Sequence, residues 1–133
     1  LSNKKDIKEF AQLAYEQKRD FFGLYAERLK SNDIKKYIAK AYADNNTKVF
    51  EQLGEYLTVN EAKKYLQKEI DAKKTDFINA TIDKLNTKDI KPFIDKTYKK
   101  GNLGAFAKLI IKLNLKDTIL NRYGIHHMKN HIL

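Results

Sequence analysis

Apolar side chains recur along the chain every 28 residues, from Ile34 to Ala62 to Ile90, with one residue fewer in the first copy. In each copy they begin with the spacing i, i+3, i+4 and i+8, which is one face of an α-helix that we name helix A. Agreement between four copies indicates an internal repeat. The aligned positions of helix A are Ile7, Ile34, Ala62 and Ile90; Phe10, Tyr37, Tyr65 and Phe93; Ala11, Ile38, Leu66 and Ile94; and Tyr15, Tyr42, Ile70 and Tyr98.

A second apolar stripe follows helix A in every copy, with the spacing i, i+3 and i+7. This spacing predicts a second amphipathic helix, which we name helix B. The third copy is degenerate, because Ala62 and Thr81 stand where the other copies carry larger apolar side chains. The aligned positions of helix B are Phe22, Phe50, Ile78 and Phe106; Tyr25, Leu53, Thr81 and Leu109; and Leu29, Leu57, Leu85 and Leu113.

Turn-forming residues lie where these helices should begin and end. Between helices A and B stand ADNNT (43–47), AKKT (72–75) and KKGN (99–102), which supply Asn, Thr or Gly for helix ends and caps. Thr58 and Glu61 have the spacing of a capping box. Pro92 is expected in a first turn, where its missing N–H has no partner to lose. Every helix A should also carry a carboxylate at its positive end, from Asp6, Asp33, Glu61 and Asp89.

Helices of about 11 residues joined by turns of about three to five residues form hairpins, and a lone hairpin cannot cover its own apolar stripe. We therefore expect one all-α domain over residues 1–133. Its predicted architecture is a right-handed α-solenoid of about four stacked antiparallel hairpins with a C-terminal helical cap. The units lie at about 5–31, 32–59, 60–87 and 88–115, with the cap at 116–133. A compact closed bundle of the same helices is the alternative.

Over residues 5–116 this organisation resembles the broad class of αα-hairpin repeats that includes the tetratricopeptide, HEAT and clathrin-type repeats. The unit is shorter than the ~34 residues of the tetratricopeptide repeat or the ~40 of HEAT, and the W-L-G-Y pattern of the former is absent. The resemblance implies stacked hairpins and assigns no functional residues.

Charge is distributed unevenly along a chain of net charge +10, with 27 Lys and Arg against 17 Asp and Glu. Residues 89–116, which cover most of the fourth unit, have 7 basic against 2 acidic residues and contribute half of the net charge. No apolar run is long enough to span a bilayer. We expect a soluble protein, either cytoplasmic or secreted after removal of a leader, and the absence of cysteine excludes disulfides and thiolate chemistry.

Lysines recur at fixed positions of helix A and predict rows of positive charge along stacked hairpins. One register holds Lys8, Lys35, Lys63 and Lys91, a second holds Lys40, Lys68 and Lys96, and Lys36 and Lys64 precede the second by four residues. The binding residues predicted from these registers and the basic fourth unit are Lys35, Lys36, Lys40, Lys63, Lys64, Lys68, Lys91, Lys96, Lys99 and Lys100. The alternative is that these lysines are an inherited solvated surface, since lysine favours helices.

Two functions are compatible with this charge pattern. The first is a non-catalytic scaffold that binds an acidic surface or segment of another protein. The second is low-specificity binding of a nucleic-acid backbone. Most aromatic residues occupy the predicted core and would not stack on bases; Tyr56 and Tyr123 are the exceptions. A secreted effector or toxin-like domain is a weaker third hypothesis.

Catalytic and cofactor motifs are absent from the sequence, so we expect no enzyme activity and no cofactor. His127 and His131 lie four residues apart and are weak candidates for metal ligands, because a zinc site would want a third protein ligand nearby. A polar capping tail is the simpler interpretation of that segment. The oligomeric state is not fixed by the sequence.

Overall fold

The fold is all-helical throughout residues 4–17 and 26–113, which are the residues that the computed structural model describes. The all-α prediction is confirmed for this part of the chain. Its seven α-helices are α1 (Lys4–Glu16), α2 (Ser31–Ala43), α3 (Thr47–Leu53), α4 (Val59–Asp71), α5 (Ile78–Ile82), α6 (Thr87–Lys100) and α7 (Leu103–Leu113), and a 3-10 turn over Gly54–Tyr56 follows α3. Helices α1, α2, α4 and α6 are copies of helix A, and α3, α5 and α7 are copies of helix B.

The predicted caps form at some helix starts but not at all of them. The residues before α2 and α5 are Lys30 and Phe77, and neither forms a side-chain cap. Thr58 and Glu61 form a complete capping box: the Glu61 amide donates to Oγ1 of Thr58 at 3.1 Å, and the Thr58 amide donates to Oε1 of Glu61 at 2.9 Å. Asn86 and Asp89 form a second box at the start of α6. An acidic residue lies in the first turn of every helix A, as expected.

Two expectations about helix geometry are wrong. Helix B is shorter than 11 residues in two copies, because α3 has 7 residues and α5 has 5. The sequence of α5 consists mostly of β-branched residues and Asn, which are weak helix formers. Pro92 lies inside α6 rather than in its first turn, because the Asn86 box starts that helix at Thr87. Pro92 is exposed, and without an N–H it cannot donate a backbone hydrogen bond to the preceding turn of α6.

The predicted core positions are buried wherever the structure describes them, with a few exceptions. Ile7, Ile34, Ala62 and Ile90 are at most 7% exposed, and Phe50, Ile78 and Phe106 are fully buried. Four further positions are half-buried: Tyr37, Tyr42, Tyr65 and Leu113. Phe10 is 47% exposed and Tyr98 is 36% exposed. Phe22 and Tyr25 lie outside the described residues, as does the predicted cap at 116–133.

The chain divides into two compact units, Leu1–Leu57 and Thr58–Leu133. In the first unit α2 packs against α3 and against the 3-10 turn that follows it. The contacts between α1 and α2 include an ion pair between Lys8 and Asp33 at 3.5 Å and a hydrogen bond from the Tyr15 hydroxyl to Asp44 at 2.8 Å. Because one contact lies near the starts of the two helices and the other near their ends, α1 and α2 run in the same direction.

In the second unit two hairpins lie side by side. Helix α4 packs against α5 and α6, and α7 packs against α6 and α5, so that helix A lies on helix A and helix B on helix B. Ion pairs join the starts of α4 and α6 (Lys63 to Asp89, 3.3 Å) and their ends (Asp71 to Lys100, 3.6 Å), so these helices are parallel. In an up-down-up-down bundle, neighbouring helices would instead be antiparallel.

Asn102 connects these two hairpins by hydrogen bonds. Its buried amide nitrogen donates to the carbonyl oxygens of Glu69 (3.1 Å) and Lys74 (3.0 Å) on the preceding hairpin. Its amide oxygen accepts from the backbone N–H of Ala105 at 3.1 Å and thereby caps α7. The fully buried Glu69 accepts from the backbone N–H of Phe77 at 2.8 Å. Asn102 therefore links the turn between α6 and α7 to the turn between α4 and α5, and Glu69 holds the latter turn to the end of α4.

Replacing Asn102 should destabilise the protein strongly. Asn102→Ala removes the cap of α7 and both hydrogen bonds to the preceding hairpin. The part-buried Lys74 carbonyl loses its amide donor, whereas the Glu69 carbonyl keeps the backbone N–H of Lys74 at 2.9 Å. Together these losses should cost about 2–4 kcal/mol of unfolding free energy. Asn86→Ala removes only an exposed cap and should cost about 1 kcal/mol. Urea unfolding followed by circular dichroism measures both values, and equal losses would show that the link between the hairpins adds nothing.

The turns after helix A share a left-handed residue at equivalent positions. Asn45 (φ 58°), Lys73 (φ 56°) and Gly101 (φ 75°) are 28 residues apart. Left-handed backbone is easily adopted by Gly and tolerated by Asn, but it is strained for Lys. Lys73 therefore carries backbone strain that its equivalents avoid.

Exchanging the residue types at these positions should change stability in opposite directions. Lys73→Gly should raise the free energy of unfolding by about 1 kcal/mol, and Gly101→Lys should lower it by about the same amount. Thermal and urea unfolding of the two variants provide the measurement. A stability loss in Lys73→Gly would contradict the strain assigned to this residue.

Candidate lysine interface

Lysines of the first register form ion pairs between neighbouring helices. Lys8 pairs with Asp33 in the first unit, and Lys63 pairs with Asp89 in the second. The contact of Lys8 with Asp33 is electrostatic, because Oδ2 of Asp33 has no hydrogen-bond partner in the described part of the chain. Lys35 is exposed and has interactions of its own. The first register is thus partly a structural device: each such lysine holds the first-turn acid of the next helix A.

Lysines of the second register lie over aromatic rings. The Nζ atom of Lys40 is 5.5 Å from the centre of the Tyr15 ring, that of Lys68 is 5.3 Å from Tyr65, and that of Lys96 is 4.8 Å from Phe93. Such cation–π contacts restrict the side-chain stem while the ammonium group stays in solvent. All three lysines are exposed. Lys40 also pairs with Asp44 at 3.6 Å.

The remaining predicted lysines differ in their partners. Lys100 pairs with Asp71 at 3.6 Å and is therefore neutralised locally. Four exposed lysines form no ion pair with any residue that the structure describes: Lys36, Lys64, Lys91 and Lys99.

Four exposed lysines of the second unit, Lys64, Lys68, Lys96 and Lys99, make up what we call the lysine face. Lys68 and Lys96 occupy equivalent positions on the parallel helices α4 and α6, so their backbones are separated by the ~8–10 Å of packed helices. Lys64 lies one turn before Lys68, and Lys99 lies nearly one turn after Lys96. These positions bring four ammonium groups to the same side of two adjacent helices. Two exposed acids lie close to this group. Asp95 precedes Lys96, and Asp71, which pairs with Lys100, occupies the position on α4 that is equivalent to Lys99 on α6.

The equivalent face of the first unit is less basic. Helix α2 carries Lys36 and Lys40 at these positions, but α1 carries Glu9 and Leu13. Leu13 is therefore an apolar residue in the second lysine register, a departure that the repeat alignment contains but charge counting does not detect.

A cleft of about 540 Å³ lies in the first unit, where the end of α1 meets the turn between α2 and α3. Its walls include Tyr15, Lys40, Asp44, Asn46 and Lys48. Burial and the Asp44 carboxylate together raise the pKa of Tyr15 well above its usual range. The phenol therefore stays protonated and donates its hydrogen bond, so Tyr15 has a structural role in this cleft rather than that of a general base.

Aromatic rings offer little stacking surface near the lysine face. Tyr65 is half-buried beneath Lys68, and Phe93 is buried beneath Lys96. Tyr56 is half-buried, and Tyr123 lies outside the described residues. The lysine face can therefore attract charge but offers no series of exposed rings for base stacking.

Neither a cluster of metal ligands nor a membrane-spanning helix occurs in the described part of the chain. No three His, Asp or Glu side chains in residues 4–17 and 26–113 are grouped so that they could hold a metal ion. The candidates His127 and His131 lie outside those ranges. Among the helices described, none combines the length and apolarity that crossing a membrane requires.

The ion pair between Lys63 and Asp89 should make stability depend on pH. The backbone N–H of Asn86 and the nearby Lys63 hold the pKa of Asp89 below its usual value, so ionised Asp89 favours the folded state. This stabilisation should be present above about pH 4, the unfolded pKa, and should be lost as pH falls through the lower folded pKa. Asp89→Asn should therefore be less stable than the parent protein at pH 7, and the difference should shrink toward pH 2.

Urea unfolding at a series of pH values measures this difference. Asp76→Asn is the matched control, because Asp76 is exposed and forms no ion pair within the described residues. A constant difference between Asp89→Asn and the parent protein at every pH would exclude an electrostatic origin.

Comparisons with known proteins give no relative for this chain. No protein-family model matches it, and neither a curated protein nor a solved structure is significantly similar to it. The functional assignment therefore depends on the geometry of the molecule alone.

Proposed function

We propose that this chain is a non-catalytic helical-repeat scaffold that binds an acidic segment of another protein through the lysine face. The observation that supports this function is the convergence of Lys64, Lys68, Lys96 and Lys99 on two parallel helices. Lys64, Lys96 and Lys99 form no ion pair in the described part of the chain, so their charge is available to a partner. Lys68 lies over the ring of Tyr65.

The proposed scaffold is an open solenoid of stacked hairpins. A right-handed solenoid of about four hairpins with a cap at 116–133 would extend the side-by-side packing of α4 to α7 along the whole chain. Support comes from the equivalent contacts inside both units, where Lys8 and Lys63 bind the first-turn acid of the next helix A.

The spacing of the lysine face indicates what kind of segment would fit. Adjacent turns of one helix are ~5.4 Å apart, and the two helices are ~8–10 Å apart. An extended peptide advances ~3.3 Å per residue, so acids at every second or third position would meet successive lysines. The ring contacts of Lys68 and Lys96 reduce the side-chain entropy lost on binding, because these stems are already restricted.

A nucleic-acid backbone is the second candidate, since phosphates are also met by exposed lysines. The charge of the lysine face favours this function as well, but the buried or covered rings Tyr65 and Phe93 do not add base stacking. Binding of this kind would be of low sequence specificity and would weaken steeply with salt.

Neutralising the lysine face should reduce binding to an acidic peptide. The variant carries Lys→Gln at residues 64, 68, 96 and 99, and the labelled ligand is a 20-residue peptide with Glu at alternate positions. Exposed ion pairs contribute about 0.2–1 kcal/mol each, so the loss of four should weaken binding about fourfold or more. Fluorescence anisotropy measures the affinity from about 50 to about 200 mM salt, alongside labelled single-stranded RNA and duplex DNA.

The charge-matched control replaces four lysines outside α4 and α6 by Gln: Lys5, Lys30, Lys48 and Lys84. Equal weakening by both sets would mean that net charge, and not this face, determines binding. Nucleic-acid binding would replace peptide binding as the proposed function if two results are found together. The chain would bind RNA or DNA more tightly than the peptide, and the salt dependence of that binding would decrease in the variant of the lysine face but not in the control.

A further inference from the structure

Neighbouring hairpins in the second unit meet through defined edges. The edge of α4 and α5 that faces the next hairpin, which we call a trailing edge, consists of Lys63, Thr75, Asn79 and Asp83. Each of them meets one residue of α6 or α7. Lys63 pairs with Asp89, Asn79 accepts from Lys108 at 3.4 Å, and Asp83 pairs with Lys112 at 4.0 Å. A Cβ added to Gly104 would lie 2.9 Å from Cγ2 of Thr75.

The equivalent trailing edge of α6 and α7 has a different character. Twenty-eight residues after the four residues of the first trailing edge stand Lys91, Leu103, Ala107 and Ile111. Three polar positions have therefore become apolar. Leu103 is 47% exposed and Ile111 is 49% exposed, and Tyr98 on the same side of α6 is 36% exposed. This edge presents apolar surface where the preceding hairpin uses polar contacts.

The edge of α1 that faces away from α2 also carries apolar residues where an internal copy carries polar ones. In α2, the edge that faces the preceding helix contains Asp33, Tyr37 and Lys40, which contact Lys8 and Tyr15 of α1. The equivalent leading edge of α1 consists of Asp6, Phe10 and Leu13. Phe10 is 47% exposed and Leu13 is 46% exposed, so leucine replaces the lysine of the internal copies.

These two edges account for most of the exposed apolar surface in residues 4–17 and 26–113. Six large apolar or aromatic side chains are exposed there, and five of them lie on the leading edge of α1 or the trailing edge of α6 and α7. Val59 is the sixth. A polar outer face keeps a repeat unit from associating. The leading edge of α1 and the trailing edge of α6 and α7 are instead largely apolar.

We propose that the chain associates with a second copy of itself, the leading edge of α1 in one copy packing on the trailing edge of α6 and α7 in the other. The association extends an interface that the molecule already contains, since Lys8 and Tyr15 bind Asp33 and Tyr37 in the same relation. Lys91 and Tyr98 are the equivalents of Lys8 and Tyr15, and Asp6 and Phe10 are the equivalents of Asp33 and Tyr37.

Charge complementarity selects this partner. Lys91 and Asp6 form no ion pair with described residues, and each stands in the register whose internal members pair with one another. Lys91 of one copy and Asp6 of the next would form the pair that Lys63 forms with Asp89. Because the two edges are different surfaces, the contact is heterologous, and further copies can add to form rings or open chains. It leaves the lysine face uninvolved and does not depend on the proposed function.

The test uses the full chain and variants that carry the internal residue types at each edge. Leu13→Lys places at the leading edge the residue type that the internal copy has at Lys40. Leu103→Thr with Ile111→Asp introduces the residues of Thr75 and Asp83 at the trailing edge. Analytical ultracentrifugation of the parent protein should show mass increasing with concentration, and each variant alone should remain monomeric. Val59→Thr is the control and should associate like the parent.

Mixing the two edge variants distinguishes a head-to-tail contact from other kinds of association. The Leu13→Lys chain retains its trailing edge and the Leu103→Thr, Ile111→Asp chain retains its leading edge, so the mixture should form a 1:1 dimer and nothing larger. Asp6→Lys alone and Lys91→Asp alone should each weaken the association. The chain that carries both substitutions should associate again, because the two charges are exchanged.

Three results would overturn the inference. A parent protein that stays monomeric up to about 1 mM has no association worth 4 kcal/mol. Edge variants that associate as strongly as the parent would place the contact elsewhere. A monomeric parent whose thermal stability falls on Leu103→Thr and Ile111→Asp would show that the trailing edge is covered by the chain itself.

Discussion

A two-helix unit of this size cannot bury its own apolar stripe, and this constraint determines the rest of the molecule. Each hairpin must lie against another, so the residues that make the contact between hairpins recur with the period of the sequence. Lys63 reaches Asp89, Asn102 reaches Lys74, and Lys112 reaches Asp83, over sequence separations close to one repeat. The repeat is therefore a record of contacts between hairpins as well as of helices within them.

The helical part of this organisation is accessible from the sequence, because apolar periodicity and capping are local signals. Ile90 and Ile94 are buried where the period places them, and Thr58 caps with Glu61 as their spacing indicates. The short α5 and the interior position of Pro92 are less accessible. Both depend on which cap prevails and on the packing of neighbouring helices, and neither of these can be read from spacing alone.

The candidate interface can be predicted from the sequence only in part. Lysine registers locate the basic face of helix A, but they do not separate Lys63, which binds Asp89, from Lys64, which forms no ion pair among the described residues. The separation depends on the direction of each side chain relative to the next helix, and adjacent residues of a helix point about 100° apart. Repeat alignment helps once the contacts are known, since it identifies Leu13 and Ile111 as departures from the internal pattern.

Asn102 has a consequence for how much the apolar positions can vary. Its amide donates to main-chain carbonyl groups, which every residue type possesses. The position of one hairpin relative to the next therefore does not depend on the side chains at residues 69 and 74. Core side chains then need only fill the space between the hairpins and do not have to fix how the hairpins are positioned. Ala62 can stand where other copies have isoleucine, and Thr81 can satisfy its hydroxyl on the carbonyl of Ile78 at 2.7 Å. A polar side chain at one turn thus allows an irregular third copy to remain in step with its neighbour.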